Sequence, residues 1–266
     1  MKVFMSVDIE GVNGICAWDE TEHDDARYEE FRKELQEEVK AACRGAIEAG
    51  ATEIVIKDAH DSARNLKIED LPKEVKLLRG WVGSPCSMMA GLDESFDAVM
   101  FVGYHSPARS NGNSLSHTMN TSRVFEIKIN GVQTSEFYIN SLFASYLNVP
   151  TAFLSGDLHL TEVVKEQNEN IETVASKIGV HGGVISDHPS ITHQKIYEGA
   201  KRALSKDLKK CLVPLPKHLK IELQYHNHNQ AYSVSFYPGC KLVGTDTVVF
   251  ETDDYYEALV MFKFCL

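Results

Sequence analysis

Lys2-Val3-Phe4-Met5-Ser6-Val7-Asp8-Ile9 is an apolar, partly β-branched run that continues through Glu10 to Gly11 and Gly14. This pattern predicts a strand feeding a turn. Downstream, the apolar positions Tyr28, Phe31, Leu35, Val39, Ala42 and Ala46 recur at spacings of three or four. They mark a helix with one stripe facing a core, and Gly50 is placed to end it as the C′ residue. Thr52 to Ile56 reads as the next strand. Strand, helix, strand over this length is a βαβ unit, so the strands run parallel and helices cover the sheet faces.

Further along, Phe96 to Gly103 is almost continuously apolar, as in a strand buried on both faces, and Val149 to Leu154 repeats the pattern. Between them, Arg123 to Ile129 alternates and ends in Asn130-Gly131, a hairpin signal, after which Glu136 to Leu147 has helical spacing. Ile191 to Leu204 is expected to be helical. Beyond Pro214 and Pro216 come a strand from Leu219 to Tyr225, a strand near Lys241 to Phe250 and a helix from Tyr255, with Asp254 and Glu257 spaced as a capping box. The expected fold is α/β. Residues 1–205 form a mostly parallel, Rossmann-like three-layer core, and residues 206–266 a smaller α+β C-terminal subdomain. The hairpin near 118–131 is placed to pack with this second part.

Composition narrows the partners. The chain has 266 residues, 43% hydrophobic and 24% charged, enough for a sizeable core. Its 27 basic and 38 acidic side chains give a net charge of −11 without a long basic run, which argues against nucleic acid or an anionic membrane as partner. The opening run is too short for a signal segment or a membrane span, so a cytoplasmic address is expected. Of the six cysteines, the closest two are 25 residues apart and none forms a CxxC pair. They read as reduced thiols, and any bound metal must rely on histidines and carboxylates.

Those residues gather at strand ends. Asp8 and Glu10, at i and i+2, share one side of the first strand, and Asp58 with His60 repeats the spacing after the second. His105 follows the strand Phe96–Gly103, and Asp157 with His159 follows Val149–Leu154. In open α/β sheets ligands bind beyond the carboxyl ends of the strands, so these groups are expected to converge in one crevice. Several carboxylates a few ångströms apart repel one another, and a divalent cation relieves the conflict. Nitrogen and oxygen donors without thiolate suit Zn²⁺, with Mn²⁺, Co²⁺ or Fe²⁺ as substitutes. There are donors enough for two ions sharing a carboxylate and binding a hydroxide between them, as in co-catalytic hydrolases.

Ordinary structural explanations compete for each residue. A lone strand-end aspartate is commonly a turn former, and it is the paired spacing that favours Asp8, Glu10 and His60 as ligands. His117 lies in a polar loop, a surface position or a catalytic one. Glu136 occupies the first turn of a helix, where the macrodipole favours a carboxylate in any case. His226 and His228 lack an acidic companion and read as solvated loop, while His188 and His193 read as residues at a helix start. Gly11-Val12-Asn13-Gly14 lacks the G-x-G-x-x-G fingerprint, and two carboxylates precede it that would repel a pyrophosphate.

In this order, Met5-Ser6-Val7-Asp8-Ile9-Glu10-Gly11, Lys57-Asp58-Ala59-His60, Phe101-Val102-Gly103-Tyr104-His105, Ser116-His117-Thr118-Met119, Ile129-Asn130-Gly131 leading to Ser135-Glu136, and Ser155-Gly156-Asp157 resemble the DppA-like zinc D-aminopeptidases. The likeness extends to Asn229-Gln230-Ala231 and Tyr237-Pro238-Gly239. The resemblance implies a dinuclear zinc hydrolase that removes N-terminal D-amino acids from short peptides. Asp8 would bridge the metals, Glu10 and His60 would complete one site, His105 and Glu136 the other, and His117 would be the catalytic histidine. It also implies a ring-like homodecamer with enclosed active sites. Another metal-dependent amidohydrolase, an L-peptidase or a non-catalytic peptide-binding protein on the same scaffold are the alternatives.

Overall fold

The computed structural model describes residues 1–266. In chain order its first elements are β1 (Lys2–Val7), α1 (Tyr28–Glu48), β2 (Glu53–Asp58), β3 (Val75–Leu78) and β4 (Ala98–Tyr104). There follow β5 (Val124–Ile129), β6 (Val132–Gln133), α2 (Glu136–Tyr146), β7 (Thr151–Asp157), α3 (Leu158–Gln167), β8 (Glu172–Val180) and β9 (Gly183–Ser186). The chain closes with α4 (Pro189–Leu204), β10 (Leu219–Tyr225), α5 (His228–Val234), β11 (Lys241–Val243), β12 (Thr247–Thr252) and α6 (Tyr255–Cys265).

A seven-stranded sheet in the order β3-β2-β1-β4-β7-β8-β9 is parallel except for the edge strand β9. The expected α/β core is therefore present. Alternation along β1 divides the interior: Val3, Met5 and Val7 join α1, α4 and the like-facing residues of β2 and β4, whereas Phe4 faces a second cluster containing Phe101, Phe137 and Leu142. Helix α1 stops as its sequence foretells. Gly50 takes φ +99°, its N–H reaches the Ile47 carbonyl, and the Ala51 N–H reaches that of Ala46, a Schellman closure.

The second sheet is antiparallel, in the order β11-β12-β10-β5-β6. The Asn130-Gly131 turn has φ +52° and +79°, both left-handed as a tight hairpin requires. Lys241 to Phe250 is not one strand but two, β11 and β12, paired antiparallel about Gly244. The Asp254–Glu257 capping box is half formed: Asp254 caps the Tyr256 N–H, but Glu257 accepts from the Thr252 hydroxyl. His228 starts the short helix α5 rather than lying in a loop. Sequence periodicity missed β3, β8, β9, α3 and α5, which are short, at the edge or rich in polar residues.

All six cysteines are free. No helix is long and apolar enough to cross a membrane.

One buried acid ties the layers together. Glu38 of α1 is fully buried, accepting from the Asn13 N–H at 2.9 Å and facing the Ser176 hydroxyl of β8 at 3.4 Å. Burial pushes its carboxyl up to about 8. Between its ordinary range and that value the folded chain holds a proton that the unfolded chain has released, so stability falls as pH rises through this window. Glu38→Gln keeps the acceptor for Asn13 and removes the titration. Thermal unfolding should show the variant gaining on the wild type from pH 5 to pH 8, and a constant difference would disprove the assignment.

Candidate metal centre

The rim where β1, β2 and β4 end is closed by two contacts between backbones. Gly11 donates its N–H to the Gly103 carbonyl at 2.8 Å, and a Cβ on Gly11 would lie 1.8 Å from the Tyr104 oxygen. Gly103, at φ +74°, would in turn press a Cβ to 2.3 Å from the Asp8 oxygen. Only glycine allows the turn after β1 to cross β4 this closely. The crossing brings Asp8 and Glu10 beside His105.

His60, His105, His117 and Glu136 complete one cluster with Asp8 and Glu10. His60 Nδ1 stands 3.4 Å from Asp8 Oδ1 and 3.1 Å from Glu10 Oε2. His105 Nε2 stands 3.5 Å from Asp8 Oδ2 and 3.6 Å from Glu136 Oε1. His117 Nε2 is 3.8 Å from Glu10 Oε1 and 3.5 Å from Glu136 Oε1, its ring stacked on His105 with centroids 4.3 Å apart. The five sequence-expected ligands are buried, while His117, with 14% of its side chain exposed, borders the opening. A cavity of about 300 Å³ lies over the cluster, walled in part by Trp18, Trp81 and Met119.

Each imidazole has its second nitrogen engaged. His60 Nε2 meets the Thr21 carbonyl at 3.0 Å, His105 Nδ1 that of Ser106 at 2.9 Å, and His117 Nδ1 that of Leu115 at 2.9 Å. A carbonyl only accepts, so each of these nitrogens carries the N–H and the other nitrogen faces the carboxylates. A neutral imidazole would then aim a lone pair at anions. That arrangement demands protons or a cation between the groups.

The distances fit a cation. Two donors on one tetrahedral Zn²⁺, bound at about 2.0–2.1 Å, stand about 3.3 Å apart. Asp8 Oδ2, Glu10 Oε2 and His105 Nε2 are buried without a hydrogen-bond partner, as ligand atoms awaiting an ion would be. Donor groups close enough to hold one ion are Asp8, Glu10 and His60, and separately Asp8, His105 and Glu136. A third combination, Glu10, His105 and His117, satisfies the same spacing.

Without a cation, protons compensate the charge. Burial, then the charge of Glu10, pushes Asp8 up to about 8. Burial would raise Glu10 as well, but the imidazoles, His60 foremost, hold it well below the carboxylate range. Burial works against a charged His105, yet Glu136 and the other carboxylates outweigh it and push it up to about 10. Burial and the charge of His105 keep His117 below the usual imidazole range.

Other strand-end residues stay out of the cluster. Asp58 accepts from the N–H groups of Asn65 and Leu66 and from the Asn65 amide, bracing the His60 loop. Asp157 accepts from the N–H and hydroxyl of Ser106, the residue whose carbonyl orients His105, and caps α3 at Leu160. His159 lies in a separate depression. His226 and His228 are exposed and absent from every candidate metal group, and His188 caps α4.

The supporting residues had no motif. Lys177, buried in β8, donates to the carbonyls of Glu10 and Ile15, and Asn113 donates to the Glu10 carbonyl at 2.9 Å. A usable signal did exist in the two tryptophans, since both of them border the cavity.

Comparison with known proteins gives the family. The D-aminopeptidase family model matches residues 1–264. The chain belongs to the D-aminopeptidase family. Its members include a D-aminopeptidase of Bacillus subtilis that is 32% identical over 266 residues, covering 97% of this chain and 94% of the relative. In three dimensions the chain is similar to the Zn-dependent D-aminopeptidase DppA from Bacillus subtilis, described as a self-compartmentalizing protease. That match has a TM-score of 0.92 at 31% identity and covers 100% of this chain and 96% of the other. The family membership makes the chain an aminopeptidase.

Lys177→Met should expose the role of the β8 ammonium. The Ile15 carbonyl loses its donor and the Glu10 carbonyl keeps only that of Asn113, destabilising the fold by about 1–3 kcal/mol and loosening the Glu10 turn. Denaturant unfolding and zinc titration should both report weakening; unaltered zinc affinity in a folded variant would show that Glu10 is placed without Lys177.

Proposed function

We propose that the chain is a dinuclear zinc aminopeptidase that releases N-terminal D-amino acids from short peptides or amino-acid amides. The reading rests on the three histidines whose bare nitrogens converge with three buried carboxylates on opposite sides of Asp8. Asp8 would be the shared ligand, with Glu10 and His60 completing one position and His105 and Glu136 the other. Zinc bound there would supply a Lewis acid for the scissile carbonyl and lower the pKa of water. The family and the zinc-dependent relative support the choice of reaction and metal.

His117 is the proton carrier in this reading. Its Nδ1–H is committed to Leu115, so Nε2 has a free lone pair, and burial holds the ring below the usual imidazole range, which favours its neutral form. Trp18, edge-on at 5.4 Å, and the stacked His105 confine the imidazole plane. Nε2 can take up a proton released during attack and return it to the leaving amine, the usual division of labour for a histidine near neutral pH. The relative's self-compartmentalizing character supports assembly of this chain into a closed homo-oligomer, a decamer in our reading, admitting only short peptides.

His117→Ala should lower turnover about 10²–10⁴-fold while zinc content, measured by elemental analysis, stays at two per chain. Asp8→Ala should lose both ions, and retention of one would refute the bridging role. For the substrate, D- and L-alaninamide with the matching dipeptides are the panel to assay. Release of D-alanine with little L-alanine is expected, preferential L-cleavage would convert the protein to an L-peptidase, and binding without turnover by zinc-loaded protein would remove the enzyme assignment.

A further inference from the structure

A second cavity, of about 280 Å³, adjoins the one over the metal centre and shares Trp81 and Met119 with it. Its walls come from three separate parts of the chain: Cys86 in the loop after β3, Ile139 on α2, and Leu259 and Phe262 on α6. Ile139, Leu259 and Phe262 are buried. Of the Asn140 amide among the walls, the nitrogen is engaged: Nδ2 donates to the Tyr104 hydroxyl at 3.1 Å and contacts Met88 Sδ at 3.3 Å. The lining is predominantly apolar, with Ser84, Ser87 and the Asn140 oxygen as its neutral polar groups, and it includes the exposed Lys263 with its ammonium.

Met119 links this cavity to the chemistry. Its backbone is held at φ +67°, a left-handed conformation uncommon for a non-glycine residue, and its N–H donates to Glu136 Oε1 at 2.6 Å. A carboxylate of the metal cluster thus fixes the backbone of a residue that borders both cavities.

We propose that the adjoining cavity receives the side chain of the substrate's N-terminal residue and favours neutral apolar side chains of leucine to phenylalanine size. The inference rests on the aminopeptidase reading. In that reading the amine and the scissile carbonyl flank the α-carbon at the metal centre, so the first side chain departs within a few ångströms of the boundary formed by Trp81 and Met119. A methyl group would leave most of the volume unfilled, whereas a branched or aromatic group would exchange water for the apolar walls. Lys263 would repel a cationic side chain.

The test uses non-hydrolysable amino alcohols, so that binding is read apart from turnover. Calorimetric titration of zinc-loaded protein should show D-leucinol binding at least about tenfold more tightly than D-alaninol. D-lysinol should gain nothing over D-alaninol. Cys86→Trp and Leu259→Phe, on different elements, should each fill the cavity and bring the leucinol-to-alaninol ratio towards one, while Cys86→Ser preserves it. Thermal melts identify any variant that fails to fold, and the other filling variant then decides. Equal affinities in the wild type, a ratio that survives filling, or lysinol binding as tightly as leucinol would each overturn the pocket and leave the aminopeptidase standing. If no amino alcohol bound at all, the placement of the substrate amine at the metals would fall, and the pocket with it.

Discussion

Three carboxylates, those of Asp8, Glu10 and Glu136, are buried around a common point, and most other features of the site follow from their mutual repulsion. Like charges at such separations, away from water, cannot all persist without compensation. In the absence of metal the conflict drives protons onto Asp8 and His105. Zinc ions on either side of Asp8 would do the same electrostatic work with fixed charge, while drawing the imidazole lone pairs to themselves. The histidines are arranged for this in advance, because backbone carbonyls hold their N–H groups on the outer side.

Asp58 and Asp157 carry the same strand-end signature as Asp8 yet have a different task. Each finds backbone N–H donors in the adjoining loops, so its charge is satisfied locally and it serves to immobilise the segment bearing a histidine. Asp8 has one such bond, from the Ile9 N–H to Oδ1, and its other oxygen is left bare. The number of local donors separates a bracing carboxylate from one free to bind a cation. Lys177 and Asn113 apply the same logic to Glu10 through its carbonyl, leaving the carboxylate unobstructed.

The site also depends on the junction of the two sheets. The seven-stranded sheet brings Asp8, Glu10, His60 and His105, whereas Glu136 arrives at the start of α2, directly after the β5–β6 hairpin of the second sheet. The same helix, with α6, walls the apolar cavity beside the metal centre. Reactive groups and apolar surface thus meet across one boundary, with Met119 bound to Glu136 in between.

Periodicity and spacing in the chain alone sufficed for the parallel core, the α1 closure at Gly50, the Asn130-Gly131 turn and the strand-end positions of Asp8, Glu10, His60 and His105. These features are encoded by residues close in sequence, whose side-chain directions follow from backbone repeat. The likeness to D-aminopeptidases added Glu136 and His117, which local patterning left undecided. Tertiary structure alone decided the rest. It put β5 beside β10, split Lys241–Phe250 into a hairpin, and assigned Asp58 and Asp157 to bracing, Lys177 to the Glu10 carbonyl and α6 to the neighbouring cavity. Each of those outcomes depends on which donors and acceptors from distant segments become neighbours on folding, and no local repeat carries that information.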